Sequence, residues 1–295
     1  MGCAVELFVD EGNGVFHPAM NFQDSQQSIK TLGLIAGNNQ FPILFARAAK
    51  EQGIRVVAAG IRGDTSILLK PFVERFVWFK VGELKKLFTF FKEEGVQFVV
   101  MAGQVNPKNL FDDTLKLDEE FQSLFLALKD RKADTIFAAV AQRLKEENLE
   151  LLDSTFLLKK YLAPQGTLTK RGPTLQELAD IEFGQGIAKA MGGIDVGQTV
   201  VVKDKAIVAI EAMEGTDQCI LRGGKITRRG AVVIKVSKPA QDNRFDVPVM
   251  GPRTIQNMAK VNASCLAIEA DKTLIIDREK SVKLANQAGI CIVAM

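Results

Sequence analysis

Short runs of branched apolar residues alternate with segments of helical spacing through the first half of the chain, and this alternation restricts the fold more than any other feature. Thr31-Leu32-Gly33-Leu34-Ile35-Ala36-Gly37, Ile54-Arg55-Val56-Val57-Ala58-Ala59, Phe76-Val77-Trp78-Phe79 and Val96-Gln97-Phe98-Val99-Val100-Met101 read as four strands. After Pro42, the residues Ile43, Leu44, Ala46 and Ala49 fall at helical spacing until Gly53, and Leu84 to Glu94 predicts a second helix. Strands apolar on both faces need cover on both faces, which indicates a parallel sheet between two layers of helices.

The second half differs. Thr199 to Val202, Ala206 to Ile210, Ala231 to Lys235 and Thr273 to Ile276 are short predicted strands, with helices expected over Leu175 to Met191, Thr254 to Asn262 and Ser281 to Gln287. Between the halves, 117–148 reads as mostly helical, with Lys132-Ala133-Asp134-Thr135 as a helix start. The expected class is therefore α/β with two domains. A loose extension at 1–29 precedes a Rossmann-like domain at 30–160, and a mixed α/β domain fills 161–295.

Composition narrows the chemistry. A formal charge of +3, with both signs mixed along the chain, gives no footprint for nucleic acid. No run approaches the roughly 18 apolar residues of a membrane span, and Met1 to Glu6 lacks the pattern of a signal peptide. A cytoplasmic chain with reduced thiols is the simple reading of Cys3, Cys219, Cys265 and Cys291, which form no CxxC pair. The only histidine is His17, in the extension. That excludes a Ser-His-Asp triad, a histidine–zinc hydrolase and a histidine-rich dinuclear phosphoesterase. Any metal must be held by oxygen ligands, which favours Mg²⁺ or Mn²⁺.

Two places offer phosphate chemistry. Gly33 to Asn39 sits between a strand and a helix, where Gly37, Asn38 and Gln40 read equally as a plain βα turn or as a phosphate cradle, with Gly103 after a later strand. The denser polar concentration spans 195–254 and emerges at strand ends. It holds Asp195-Val196-Gly197-Gln198, Glu211-Ala212-Met213-Glu214-Gly215-Thr216-Asp217, and Lys235 through Pro248 with Lys238, Gln241, Asp242, Arg244 and Asp246. Carboxylates there suit a cation and a water, while the lysines suit phosphate oxygens. Glu214 to Asp217 also reads as a capped turn, and Asp242, Arg244 and Asp246 as a solvated ion-pair face. Phe88, Phe90 and Phe91, with Leu84 and Leu87, suit either a buried helix face or the lining of an apolar groove.

Taken in order, these motifs resemble the LpxI-type UDP-2,3-diacylglucosamine pyrophosphatases from Leu32 to Met295. The resemblance is carried by Leu34-Ile35-Ala36-Gly37, Val100-Met101-Ala102-Gly103-Gln104-Val105, Asp195 to Gln198, Ile210 to Asp217, Lys235-Val236-Ser237-Lys238-Pro239 and Gln241 to Pro248. It implies a two-domain enzyme of the inner face of the cytoplasmic membrane that cleaves UDP-2,3-diacylglucosamine to 2,3-diacylglucosamine 1-phosphate and UMP with a divalent cation. Asp246 is implied as the catalytic aspartate of an Arg-x-Asp-x-Pro motif, supported by Asp217, Lys235 and Lys238. Glu214, Asp217 and Asp242 are the expected metal ligands. Gly37, Asn38, Gln40, Gly103, Gln198, Gly215, Thr216, Gln241 and Arg244 are the expected substrate contacts. The family's Gly-Asp-Asp reads Ala133-Asp134-Thr135 here, keeping one acidic position. A broader nucleotide-sugar pyrophosphohydrolase and a non-catalytic nucleotide- or lipid-binding protein are the alternative readings, and a homo-oligomer stays open.

Overall fold

The computed structural model describes residues 29–106 and 115–295. Nearly all of the extension expected at 1–29, with Cys3 and His17, lies outside the described residues.

The first sheet is fully parallel. Strands β1 (Thr31–Ala36), β2 (Arg55–Ile61), β3 (Arg75–Phe79), β4 (Phe98–Ala102) and β5 (Glu150–Leu151) lie in the order β3-β2-β1-β4-β5. Leu34 sits level with Ala58 on one side and Val100 on the other. The order reverses between β1 and β4, the place where open α/β sheets leave a crevice beyond their strand ends.

Both faces are covered, as the apolar runs require. Helix α1 (Phe41–Glu51) lays Phe45, Ala46 and Ala49 on Leu32, Leu34, Val56 and Val100. On the other face, α2 (Leu84–Glu93), α3 (Glu119–Ala127) and α4 (Ala133–Glu146) pack on Val57, Ala59, Val99 and Met101. Phe88, Phe90 and Phe91 are all buried in that layer, so this stretch is a core face and lines no open groove. Burying each ring adds about 1.5–3 kcal/mol of transfer free energy.

The second sheet is mixed. Strands β6 (Gly166–Thr167), β7 (Thr199–Lys203), β8 (Ala206–Ile210) and β9 (Val232–Lys235) are joined by β11 (Cys265–Ile268) and β13 (Cys291–Ala294), in the order β6-β13-β11-β9-β7-β8. The β9, β11 and β13 strands are mutually parallel, whereas β7 runs against both of its neighbours. Helix α5 (Leu175–Gly193) begins with a capping box from Thr174 and Glu177 and covers one face with Ile181 and Ala188. Its buried Asp180 accepts the backbone N–H groups of Asp204 and Lys205, tying the β7–β8 turn to the helix. Helices α6 (Thr216–Thr227), α7 (Pro252–Lys260) and α8 (Arg278–Gln287) cover the other face.

Helix α6 is the element that the sequence conceals, because Gly223 and Gly224 lower its propensity. Packing demands them. A Cβ at Gly223 would lie 2.8 Å from Val201, and one at Gly224 would lie 2.2 Å from Val261. The β11 and β13 strands are likewise absent from the sequence reading, as is the two-residue β10 (Val249–Met250), whose parallel partner β12 (Leu274–Ile275) falls within the strand expected at Thr273 to Ile276. Buried Leu274 and Ile276 pack into the core of the first sheet, beside Leu32, Phe45 and Leu158. Cys219, Cys265 and Cys291 are buried and unbridged.

Candidate active site

The chain leaves β9 at Lys235 and delivers two buried lysines three residues apart. Lys235 Nζ donates to Thr216 Oγ1 at 2.7 Å and makes no ion pair among the described residues. Thr216 is the first residue of α6, and its hydroxyl in turn donates to Glu211 Oε1 at 2.9 Å. A buried ammonium beside the positive end of a helix is a setting built for an anion. Gly215 caps that helix at φ 81°. Glu211 Oε2 is buried without a hydrogen-bond partner, which leaves one acceptor of this relay open.

Lys238 has the opposite surroundings. Its Nζ lies 2.6 Å from Asp134 Oδ1, 2.5 Å from Asp195 Oδ1 and 3.0 Å from Asp246 Oδ2. Burial opposes its charge, but the three carboxylates, Asp246 foremost, outweigh that cost and hold the ammonium well above the ordinary lysine range. Asp134 responds in the other direction. Burial, helped by the neighbouring Asp195 and Asp246 charges, raises its carboxyl above the usual aspartate value in spite of Lys238.

Asp246 is held from three sides. Gln198 Nε2, just ahead of β7, donates to both carboxylate oxygens at 2.8 Å. Gln241 Nε2 donates to the Asp246 backbone carbonyl, while its own Oε1 accepts from the Lys238 backbone N–H at 2.6 Å. Phe245 stacks on Phe137 of α4 with ring centroids 5.6 Å apart. Ser154 donates to the Asn243 carbonyl through both its N–H and its hydroxyl, so the 241–246 loop rests on the first sheet's layer.

Of the residues expected from sequence, Lys235, Gly215, Thr216, Gln198, Lys238, Gln241 and Asp246 come together here. Asp217 opens α6, but Arg253 Nε takes its carboxylate at 2.5 Å. Glu214 pairs with Arg222 at 2.6 Å and Asp242 with Arg244 at 2.7 Å. The Arg244 guanidinium holds the Asp242 carboxyl below its ordinary value. The expected metal ligands are thus separated and individually neutralised, and the described residues contain no group of three carboxylate, histidine or cysteine side chains able to hold a metal ion. As arranged, Glu214, Asp217 and Asp242 do not fit one divalent cation.

Gly37, Asn38, Gln40 and Gly103 mark a second location, at the C-terminal ends of β1 and β4. Asn38 N donates to the Gln104 carbonyl at 2.8 Å, and a Cβ on Gly37 would sit 2.6 Å from that same oxygen. The two loops therefore cross at the strand-order reversal, and Asn39 in the left-handed region caps α1 by accepting from Phe41 N at 2.8 Å. Asp134 and Asp195 lie in motifs the sequence offers but receive no role at the site there. They are 61 positions apart and meet only through the fold. The one local signal is at Asp195, an aspartate held at φ 58°.

Two family models account for the described chain. The LpxI N-terminal domain matches residues 31–161 and the LpxI C-terminal domain matches residues 164–293. The chain belongs to the LpxI family.

A curated LpxI relative, the UDP-2,3-diacylglucosamine pyrophosphatase LpxI of Caulobacter vibrioides, is 28% identical over 280 residues, covering 90% of this chain and 98% of the relative. Among solved structures, an ADP complex of N5-carboxyaminoimidazole ribonucleotide synthetase matches with a TM-score of 0.26 at 15% identity, covering 59% of this chain and 32% of that one. The biotin carboxylase domain of Hydrogenobacter thermophilus 2-oxoglutarate carboxylase matches with a TM-score of 0.26 at 14% identity, covering 66% of this chain and 40% of that one. Likenesses at this level carry no argument about the LpxI chain. The boundary between the two LpxI models falls between residues 161 and 164.

Proposed function

We propose that this chain hydrolyses the pyrophosphate of UDP-2,3-diacylglucosamine, the substrate in the name of its Caulobacter relative, to 2,3-diacylglucosamine 1-phosphate and UMP. The observation that carries the reading is Lys235, a buried ammonium without a carboxylate partner at the start of α6, paired across the sheet with Thr199, the neighbour of the Gln198 that locks Asp246. A pyrophosphate supplies the missing anion.

In this mechanism Lys235 Nζ and the N-terminus of α6 receive the oxygens of the phosphate under attack. Asp246 orients a water and accepts its proton. The water oxygen bonds to the phosphorus nearer the sugar as the bridging P–O bond breaks. The bond's electron pair leaves with UMP, while Lys238 holds Asp246 in place. Two glutamine amides fix Asp246, so no histidine is needed. The strand-order reversal at Gly37 and Gly103 suits the uridine end. No helix among the described residues is long and apolar enough to cross a membrane. The diacyl substrate is reached by contact with the inner face of the cytoplasmic membrane.

The test is hydrolysis in ¹⁸O-water followed by phosphorus-31 NMR. Label in the sugar phosphate, and none in UMP, supports the stated direction of attack, whereas label in UMP reverses it. UDP-N-acetylglucosamine hydrolysed as fast as the diacylated substrate would instead favour the broader nucleotide-sugar activity. Loss of UMP release in EDTA with recovery in Mg²⁺ would show a cation held otherwise than by Glu214, Asp217 and Asp242 as arranged.

A further inference from the structure

The cage around Lys238 joins the two halves of the molecule. Asp195 and Asp246 belong to its own half, but Asp134 arrives from the first turn of α4, whose other residues cover the first sheet. That turn is itself anchored. Asp134 N donates to Asp195 Oδ2 at 3.5 Å, and Phe137, three residues on, stacks against Phe245.

Removing Asp134 would leave two carboxylates beside the ammonium, so the charge of Lys238 is over-determined. Its direction is not. The lysine stem is flexible, and three acceptors are what fix the three N–H bonds of an ammonium. Asp246 supplies the longest of the three contacts, at 3.0 Å, and Asp134 one of the two short ones.

We propose that Asp134 is a positioning residue for the hydrolysis: its carboxylate, brought across from the first sheet, aims Lys238 Nζ at Asp246. The inference rests on the pyrophosphatase reading. Asp134 touches neither water nor phosphate in this scheme and acts through Lys238 alone.

The experiment compares Asp134→Ala with Asp134→Asn, which keeps an oxygen at the Oδ1 position. Misplacing a catalytic group by about 1 Å costs on the order of 100-fold, so the alanine variant should lose roughly 30- to 100-fold in kcat while KM stays within about threefold. The asparagine variant should recover to within about threefold of the wild-type kcat. A second readout needs no turnover. Acetic anhydride labelling mapped by mass spectrometry should show Lys238 several-fold more reactive in the alanine variant alone, with Lys235 unchanged as internal reference. Equal unfolding midpoints show that the fold is intact. If the alanine variant is less stable, Asp134→Glu, which keeps the charge and shifts the oxygens, takes its place with the same expected losses.

A wild-type kcat in the alanine variant, an asparagine variant as impaired as alanine, or unchanged Lys238 labelling would overturn the proposal. Absence of UMP release by the wild type would sink the pyrophosphatase reading instead, and the labelling would still decide the geometry of Lys238.

Discussion

Lys235 and Lys238 leave the same strand three residues apart, are buried to a similar degree, and have opposite electrostatic surroundings. Lys235 meets a hydroxyl and a helix N-terminus, and no carboxylate pairs with it. Lys238 is held by three carboxylates. A buried unpaired charge is expensive, so the first arrangement persists where an incoming anion repays it. The second is already neutralised, and its value is the placement of a charge next to Asp246. In the proposed mechanism one lysine waits for a ligand and the other is built into the wall. Sequence alone treats the two as equivalent basic residues.

The largest effect should come from Asp246→Ala, which removes the proposed proton acceptor beside Lys238. A general base contributes about 10²–10⁴-fold, so UMP release should fall within that range with the KM little changed. Full activity in this variant would move the water-orienting role elsewhere.

Lys235→Met tests the anion side, since it preserves the stem and deletes the charge. Loss of one preorganised donor typically costs about 10²–10³ in kcat. Unlike Lys238→Met, which strands three carboxylates, it should raise or leave unchanged the unfolding midpoint of the ligand-free protein. A clear drop in that midpoint would mean that Lys235 is structurally paired after all.

A third comparison addresses stability alone. Gly224→Ala should destabilise by about 1–3 kcal/mol through overpacking against Val261, measured by urea denaturation. Gly53→Ala meets no neighbouring atom at all. Its cost should come only from its positive φ, about 1–2 kcal/mol.

The smallest effect is a pH dependence. Because the folded state raises the Asp134 pKa above its ordinary 3.8, it binds this proton more tightly than the unfolded chain does. The contribution is therefore fully present below pH 3.8 and lost as pH rises through the folded value. Asp134→Asn should accordingly raise the unfolding midpoint slightly at pH 7, with the gain fading towards pH 4. A gain that grows on acidification would contradict the sign.

What the sequence disclosed follows from range. The β1, β2 and β4 strands were legible because each is apolar on both faces, a property written in consecutive residues. Lys235, Gln198 and Asp246 could be picked out because polar clusters interrupt strands there, and resemblance then ranked them. Helix α6 was not legible, because Gly223 and Gly224 answer to Val201 and Val261 rather than to helix propensity. Asp134 and Asp195 stand in recognisable motifs, but their meeting at Lys238 is long-range and was not legible. The metal-ligand assignment rested on resemblance, which did not show that Arg222 and Arg253 take Glu214 and Asp217, while the Asp242–Arg244 pair matches the ion-pair reading.

Leu274 and Ile276 carry a consequence for modularity. Both lie in the segment matched by the C-terminal family model, yet they are buried among Leu32, Phe45 and Leu158. Cutting the chain at the 161–164 junction would expose apolar surface on both fragments, worth about 1.5–3 kcal/mol for each such side chain. The two halves are separable as text but not as bodies. Neither could be transplanted or expressed alone without replacing that patch.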